Sequence, residues 1–331
     1  MPCRQGVLGM TDALLYLSRD DIRALSIPPA AAREAVLQGF RDYATGLTRS
    51  LPKSTLTLGP GHGFQAMTAA SSAQGIATVK WVAMAPVAAG SPLPAVSALI
   101  CVSDYETGQP LAVLDGDEIT LIRTAAISAA AASLLASANP RTIGFVGCGL
   151  QAHAHLAAFR DLFPGLTNAL MLSRSRSSAE RLAEAAGAAG LAADILDDAD
   201  ALLARSDIVI SMVPGAAGMT PFLDARRLKP TALAVAVDTG RSWKPETLPA
   251  FNLLATDSLE QSRAPYGVDG NPVSTVAFQH DLIALAGAPH PTAAAGRSLF
   301  AFRGVAFADL ALAHLAVAQA RAQGLGTVLP R

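Results

Sequence analysis

The segment Gly147-Cys148-Gly149-Leu150-Gln151-Ala152 constrains the fold of this chain more than any other stretch of it. It follows a short apolar run, Arg141 to Val146 (RTIGFV), and opens a stretch with helical spacing. Strand, glycine turn and helix thus come in the order that a dinucleotide-binding unit requires. Gly147 makes the tight turn, Gly149 admits a pyrophosphate close to the backbone, and the small Ala152 lets helix pack on strand. Free N–H groups and the helix dipole then face the phosphates. A glycine motif alone also describes a tight turn that binds nothing; its context makes Gly147, Gly149, Leu150 and Gln151 candidate cofactor contacts.

Downstream the pattern repeats. The runs ALMLS (Ala169 to Ser173), DIVISMV (Asp207 to Val213), ALAVAVD (Ala232 to Asp238) and NLLATD (Asn252 to Asp257) read as buried strands alternating with helices. Such alternation predicts a parallel, doubly wound sheet. Where an NAD site usually carries an acidic residue after the second strand, this chain has Ser173-Arg174-Ser175-Arg176. Arginines and hydroxyls there suit a 2′-phosphate, so Ser173, Arg174 and Ser175 favour NADP, with NAD the other choice. The plain alternative is a solvated arginine pair at a helix start.

Upstream the grammar differs. Ser18 with Asp21 forms a capping-box pattern, and Pro28-Pro29 open a helix with Val36, Leu37, Phe40 and Tyr43 at helical spacing. From Ser50 to Val113 five strand-like runs (STLTLG, FQAMTA, ATVKWVAM, AVSALICVSD and PLAVLD) succeed one another across Gly and Pro turns. With no helix between them, they predict an antiparallel or mixed sheet. An alanine-rich helix is expected over 118–138. A last one over 305–323, charged only at Asp309 and Arg321, is apolar enough to be buried against the first unit.

A length of 331 residues fits about two domains. Apolar types at 51% and a net charge of −1 argue against disorder and against nucleic acid or an acidic membrane surface as partners. The mean hydropathy of +0.36 raises the membrane question. Of two long uncharged stretches, 81–103 contains Pro86, Pro92 and Pro94, and 124–140 is too short and weakly apolar to span a bilayer. Cys3, Cys101 and Cys148 are scattered and lack CxxC spacing, which fits a reducing cytoplasm. The N-terminal residues lack the pattern of a cleaved leader. His153 and His155 point to different faces of their helix, His62 lies in a Gly-rich turn, and His280 and His290 flank a late helix. No metal site is expected.

Lys80 stands inside an apolar strand, where a lysine usually faces solvent or pairs with a carboxylate. Asp115-Gly116-Asp117-Glu118-Ile119-Thr120 runs on into Arg123-Thr124-Ala125-Ala126. Through these segments, the Met67 region, the GxGxQA turn, the 304–309 helix start and Gly326-Thr327, the chain resembles the ornithine cyclodeaminase/mu-crystallin family. The resemblance implies a Rossmann-type doubly wound parallel sheet plus a split N-/C-terminal α+β domain, an α/β fold. The split unit, 1–125 with 303–331, would hold substrate and pair with a second subunit as a homodimer; 126–302 would hold the dinucleotide. It places a substrate carboxylate on Lys53, Lys80 and Arg123, near Met67, and sets Thr124 and Val213 beside the cofactor. Lysine at 53 departs from the commoner arginine and offers a point charge instead of a fork.

Such proteins use nicotinamide in two ways: bound NAD+ cyclises ornithine to proline with loss of ammonia, or NAD(P)H reduces an imine next to a carboxylate. A cyclic ketimine, pyrroline-2-carboxylate or a 2-imino acid would serve as the small-molecule substrate of the second. The arginine loop favours reduction. A binding protein without turnover is a third reading. Lys80 and Asp238 are the candidates for proton transfer, although Asp238, two positions early for the cyclodeaminase pattern, also reads as a strand-end cap. Arg303 stands where a serine is common and suits either a second substrate carboxylate or an interdomain ion pair.

Overall fold

The computed structural model describes residues 13–59, 61–88, 91, 93–215, 219–263, 277–288 and 296–331. Cys3, Pro60, Pro92 and His290 lie outside them. Two sheets of eight strands carry the chain.

The first half begins with β1 (Ala13–Leu17), α1 (Arg19–Ala24) and α2 (Pro29–Ala44). The expected capping box is present: Asp21 N–H donates to Ser18 Oγ, and Ser18 N–H donates to the Asp21 carboxylate. Strands β2 (Thr48–Ser50), β3 (Ser54–Thr57), β4 (Gly63–Ser71), β5 (Ile76–Met84), β6 (Val96–Asp104) and β7 (Pro110–Asp115) follow, and β4 to β7 form an antiparallel meander. Along β4 burial alternates strictly, as one covered face demands. The sheet is mixed because β1 runs parallel to β7.

From β7 the chain enters α3 (Gly116–Leu135), then the second half: β8 (Thr142–Val146), α4 (Leu150–Leu162), β9 (Asn168–Leu172), α5 (Arg176–Ala188), β10 (Ala192–Ile195), α6 (Ala199–Arg205) and β11 (Ile208–Ser211). It continues through β12 (Leu233–Ala236), β13 (Leu253–Thr256), α7 (Leu259–Ser262), β14 (His280–Asp281), α8 (Leu282–Gly287) and β15 (Ser298–Ala301). The order β10-β9-β8-β11-β12-β15-β13-β14 is parallel throughout. Its direction reverses between β8 and β11, where doubly wound sheets bind ligands beyond their strand ends.

The chain then returns to the first sheet. Helix α9 (Ala306–Gln323) packs on α2, β4 and β5, and β16 (Thr327–Pro330) pairs antiparallel with β1. Phe307 of α9 meets Phe40 edge-on and stacks on Tyr43, both at 4.8 Å, so aromatic contacts fasten the last helix to α2. Helix α3 is long and apolar enough to cross a membrane by length and composition, but 67% of its most apolar window is buried inside the protein.

Candidate active site

Three cations converge under the inner face of the first sheet. Met67 and Lys80 are cross-strand neighbours on β4 and β5, with Ile100 on the other side of Lys80. All three are at most 3% exposed, so Lys80 is a lysine walled by apolar side chains. Its Nζ donates to Asp309 Oδ1 of α9 at 2.8 Å. Arg123 of α3 approaches the same oxygen through Nε at 3.2 Å, close enough for attraction without a hydrogen bond's alignment. The Lys53 ammonium, just past β2, donates to the Arg303 carbonyl.

Burial pushes the Lys80 ammonium down to about 8, although the Asp309 charge beside it pulls the other way. Burial also brings Lys53 to about 8, helped by the positive charges of Arg123 and Lys80. For Asp309, burial favours the neutral acid, but Lys80 and Arg123 outweigh it and hold the carboxyl below its ordinary range. Asp309 therefore faces three cations, and Asp257 stands as a second carboxylate near Lys53, which leaves one positive charge in surplus. Among the described residues, no protein acceptor takes a hydrogen bond from Arg123. A carboxylate is the group that a pocket with surplus positive charge and spare guanidinium donors can hold.

A turn closes this pocket. Gly304 has φ +85, and a Cβ there would lie 2.7 Å from a terminal nitrogen of Arg123. Only glycine lets the turn and the guanidinium stand so close. Arg303 enters through its backbone carbonyl, and burial lowers the pKa of its half-buried side chain.

The glycine turn meets the requirements of a pyrophosphate site. Gly147 has φ +94, and a Cβ there would sit 2.9 Å from the Met212 carbonyl oxygen, so the protein itself demands glycine. Among the described residues, a Cβ on Gly149 would meet nothing within 4 Å, which leaves space over the turn. Gly149 caps α4 with no side-chain hydrogen bond, leaving its first N–H groups for a ligand, with Leu150 exposed and Gln151 Oε1 buried without a partner among the described residues. Gly147 N–H donates to the Leu172 carbonyl at 2.8 Å, which fixes the turn beside the loop after β9. In that loop Arg174 is exposed with no ion pair among the described residues, whereas Arg176 pairs with Glu180. Ser175 caps α5, and Ser173 Oγ accepts from Ser175 N–H. Thr124 follows Arg123 on α3 and is buried, and Val213 lies just past β11. The residues thus fit a dinucleotide laid across the switch point.

Asp238 requires a correction. Its buried carboxylate accepts from Ser242 Oγ, Ser211 Oγ (3.1 Å), Gly240 N–H (3.2 Å) and Val213 N–H (3.4 Å). The turn it clasps contains Thr239 at φ +62, an unfavourable conformation for a β-branched residue. With its lone pairs taken, Asp238 braces the ends of β11 and β12, and the strand-end reading replaces proton transfer.

Sequence reasoning passed over two acids, Asp309 and Asp257. Asp309 is the acidic residue of an otherwise apolar helix, and that was its visible signal. Asp257 ends the run NLLATD and looked like an ordinary strand terminus.

Fold and site together define an α/β protein with a dinucleotide cradle and a separate cationic pocket. The model of the ornithine cyclodeaminase/mu-crystallin family matches residues 17–263, and the chain belongs to that family. An alanine dehydrogenase from Archaeoglobus fulgidus is 39% identical over 149 residues, 45% of each protein. The match therefore spans less than half of that relative's length. The rat ketimine reductase mu-crystallin is 28% identical over 243 residues, 71% of this chain and 74% of the relative. Among solved structures, an archaeal alanine dehydrogenase dimer with bound NAD is 25% identical, with a TM-score of 0.84 over 96% of this chain and 99% of that one. The Thermococcus litoralis Δ1-pyrroline-2-carboxylate reductase with NADH and L-proline shares the fold at 23% identity, with a TM-score of 0.84 over 95% and 99%.

Proposed function

We propose that this chain is an NAD(P)H-dependent reductase of an imine next to a carboxylate. The observation that carries the reading is Arg123, buried beside two more cations, with donors that the described protein does not use. The relatives point the same way: alanine dehydrogenase and pyrroline-2-carboxylate reductase are named for compounds with a C–N bond beside a carboxylate, and ketimine reductase for a C=N bond.

Bound at the glycine turn, the nicotinamide cofactor supplies hydride. The chain's own groups do the rest. Arg123 and Lys53 hold the substrate carboxylate, which fixes the position of the adjacent carbon. Lys80, with a pKa near 8, is still largely protonated at pH 7 and donates a proton to the imine nitrogen; a positioned acid of this kind contributes about 10²–10⁴-fold. Asp309 holds the ammonium in place and keeps it charged. Met67 and Ile100 exclude water from it.

The loop at Arg174 favours NADP. Residues 1–125 with 303–331 are the substrate and dimerisation unit in this reading, and 126–302 the dinucleotide unit. The outward face of the first sheet carries Trp81 and its cross-strand partner Leu99, each about half exposed, with Trp81 stacked on Phe64 at 6.0 Å. An apolar face of this kind fits a second copy of the chain. Cyclodeaminase chemistry has no free aspartate to draw on at 238.

The test follows NADPH and NADH oxidation with cyclic imines and with 2-oxo acids plus ammonia or methylamine, and separately ammonia release from ornithine. Imine-dependent oxidation is expected. Ornithine turnover without imine reduction overturns the proposal, and NADPH binding without oxidation by any imine favours a binding protein.

A further inference from the structure

The Asp257 carboxylate lies at the end of β13 and is fully buried, with Lys53 and Arg303 as its charged neighbours. Its Oδ2 accepts from Gly304 N–H at 2.7 Å, and its Oδ1 accepts from Ser258 N–H at 2.9 Å and from Arg303 N–H at 3.3 Å. Thr256 Oγ1 also donates to Oδ1 at 3.3 Å. One carboxylate thus clasps the turn where the chain leaves β15 for α9. That turn is the element on which two of the site's cations rest: Lys53 donates to its Arg303 carbonyl, and Arg123 packs against its Gly304.

We propose that Asp257 is a positioning residue, which by clasping the Arg303–Gly304 turn sets where Lys53 and Arg123 meet the substrate carboxylate. The inference rests on the reductase reading above and assigns a residue that touches no reacting atom. A neutral amide cannot replace it, since its NH₂ group would face an N–H donor on one side of the clasp. Burial favours the neutral acid at Asp257, with Lys53 opposing. The carboxylate in turn supports the charge of Lys53, which also faces Arg123, Lys80 and Asp309.

The experiment compares Asp257→Asn and Gly304→Ala with wild type and Arg123→Ala. It measures NADPH binding, thermal stability, kcat and KM on an accepted imine, and calorimetric binding of pyrrole-2-carboxylate, a planar carboxylate probe, to the NADPH-saturated protein. Loss of one charged hydrogen bond in Asp257→Asn is expected to raise the probe Kd and KM by about tenfold or more, and the Cβ of Gly304→Ala, which strains the turn and presses on Arg123, should raise both as well. NADPH binding should stay at its wild-type value, and kcat should change by less than about threefold, the pattern of lost carboxylate seating. In Asp257→Asn the alkaline fall of kcat/KM should move to lower pH while that of kcat stays.

A merely structural role lowers Tm in Asp257→Asn and leaves probe Kd and KM alone; that result overturns the inference. If Asp257→Asn does not fold, Gly304→Ala decides, and an unchanged probe Kd in it overturns the inference equally. If Arg123→Ala loses the probe while both clasp variants keep it, the clasp fails and the reductase reading stands. If wild type binds NADPH but neither reduces imines nor binds the probe, the reading falls and the clasp with it.

Discussion

Asp309→Asn tests the site at its electrostatic centre. Lys80 Nζ lies 2.8 Å from Asp309 Oδ1, with both side chains 2% exposed. Two unit charges at that distance attract by about 6 kcal/mol at an effective dielectric near 20. The amide keeps an acceptor for Lys80, so only part of this is lost. Taking about 1.5–3 kcal/mol for a hydrogen bond to a charged group, at 1.36 kcal/mol per pH unit, Lys80 should fall by about one to two units. The sign follows from the partner: burial lowers the pKa and the aspartate charge raises it, to a balance of about 8, so removal of that charge lowers it further. If Lys80 donates the proton, kcat is lost as pH rises through its pKa, and the alkaline limb should move from near 8 to between about 6 and 7. The assay is a pH profile of kcat at saturating imine and NADPH, with NADPH binding and Tm followed on the same preparations. Tm should fall, since breaking a buried pair costs about 3–5 kcal/mol. A folded, NADPH-binding variant whose kcat limb stays at the wild-type pH refutes Lys80 as the donor.

Arg174→Asp should shift the kcat/KM preference from NADPH toward NADH by about tenfold or more, as expected for losing a charged contact to a 2′-phosphate; an unchanged ratio removes the arginine argument. Gly149→Val points a side chain to where no described atom would meet its Cβ within 4 Å, so Tm should hold while NADPH binding is lost, whereas Gly147→Ala should lower Tm because of its φ of +94 and the Met212 carbonyl. Fluorescence titration and thermal melts separate the two. His155 is buried between α4 and α3, donates through Nδ1 to the Gln151 carbonyl and accepts at Nε2 from Ser128, and burial lowers its pKa to about 4. The unfolded chain therefore binds the extra proton between about pH 6.5 and 4, so stability should fall as pH drops through that window, by about 3 kcal/mol for this residue. Denaturation at several pH values should give a shallower decline in His155→Leu. Trp81→Asp with Leu99→Arg should shift a dimer toward monomer in sedimentation; an unaltered mass would place the interface elsewhere.

What the sequence disclosed was local. The glycine turn and the arginine loop are read from neighbours a few residues apart, and the structure sets them side by side as expected. The meander was legible from strand-like runs parted by Gly and Pro turns, and α9 from its lack of charge. Short strands were harder: β1 and β16 pair across almost the whole chain, and β15 is four buried residues, too few to show a period. The same distance hid the acids. Asp309 meets Lys80 from 229 residues away, and Asp257 meets Gly304 from 47, so neither role leaves a local pattern. Asp238 misled for the opposite reason: it stands where chemistry is often found, while Ser211 and Ser242, which occupy it, are ordinary serines until folded.

The return of the chain to its first sheet also orders events during synthesis. The second sheet spans 142–301 and can pair its strands while α9 is still being made, in keeping with domains folding as units. The first sheet cannot finish then. Until α9 has left the ribosome, Lys80 and Arg123 have no Asp309, and their charges oppose closure of the apolar face around them. Nascent chains should therefore acquire the ability to bind NADPH before the ability to bind a carboxylate. The cofactor half would wait, already assembled, for the few residues that neutralise its neighbour.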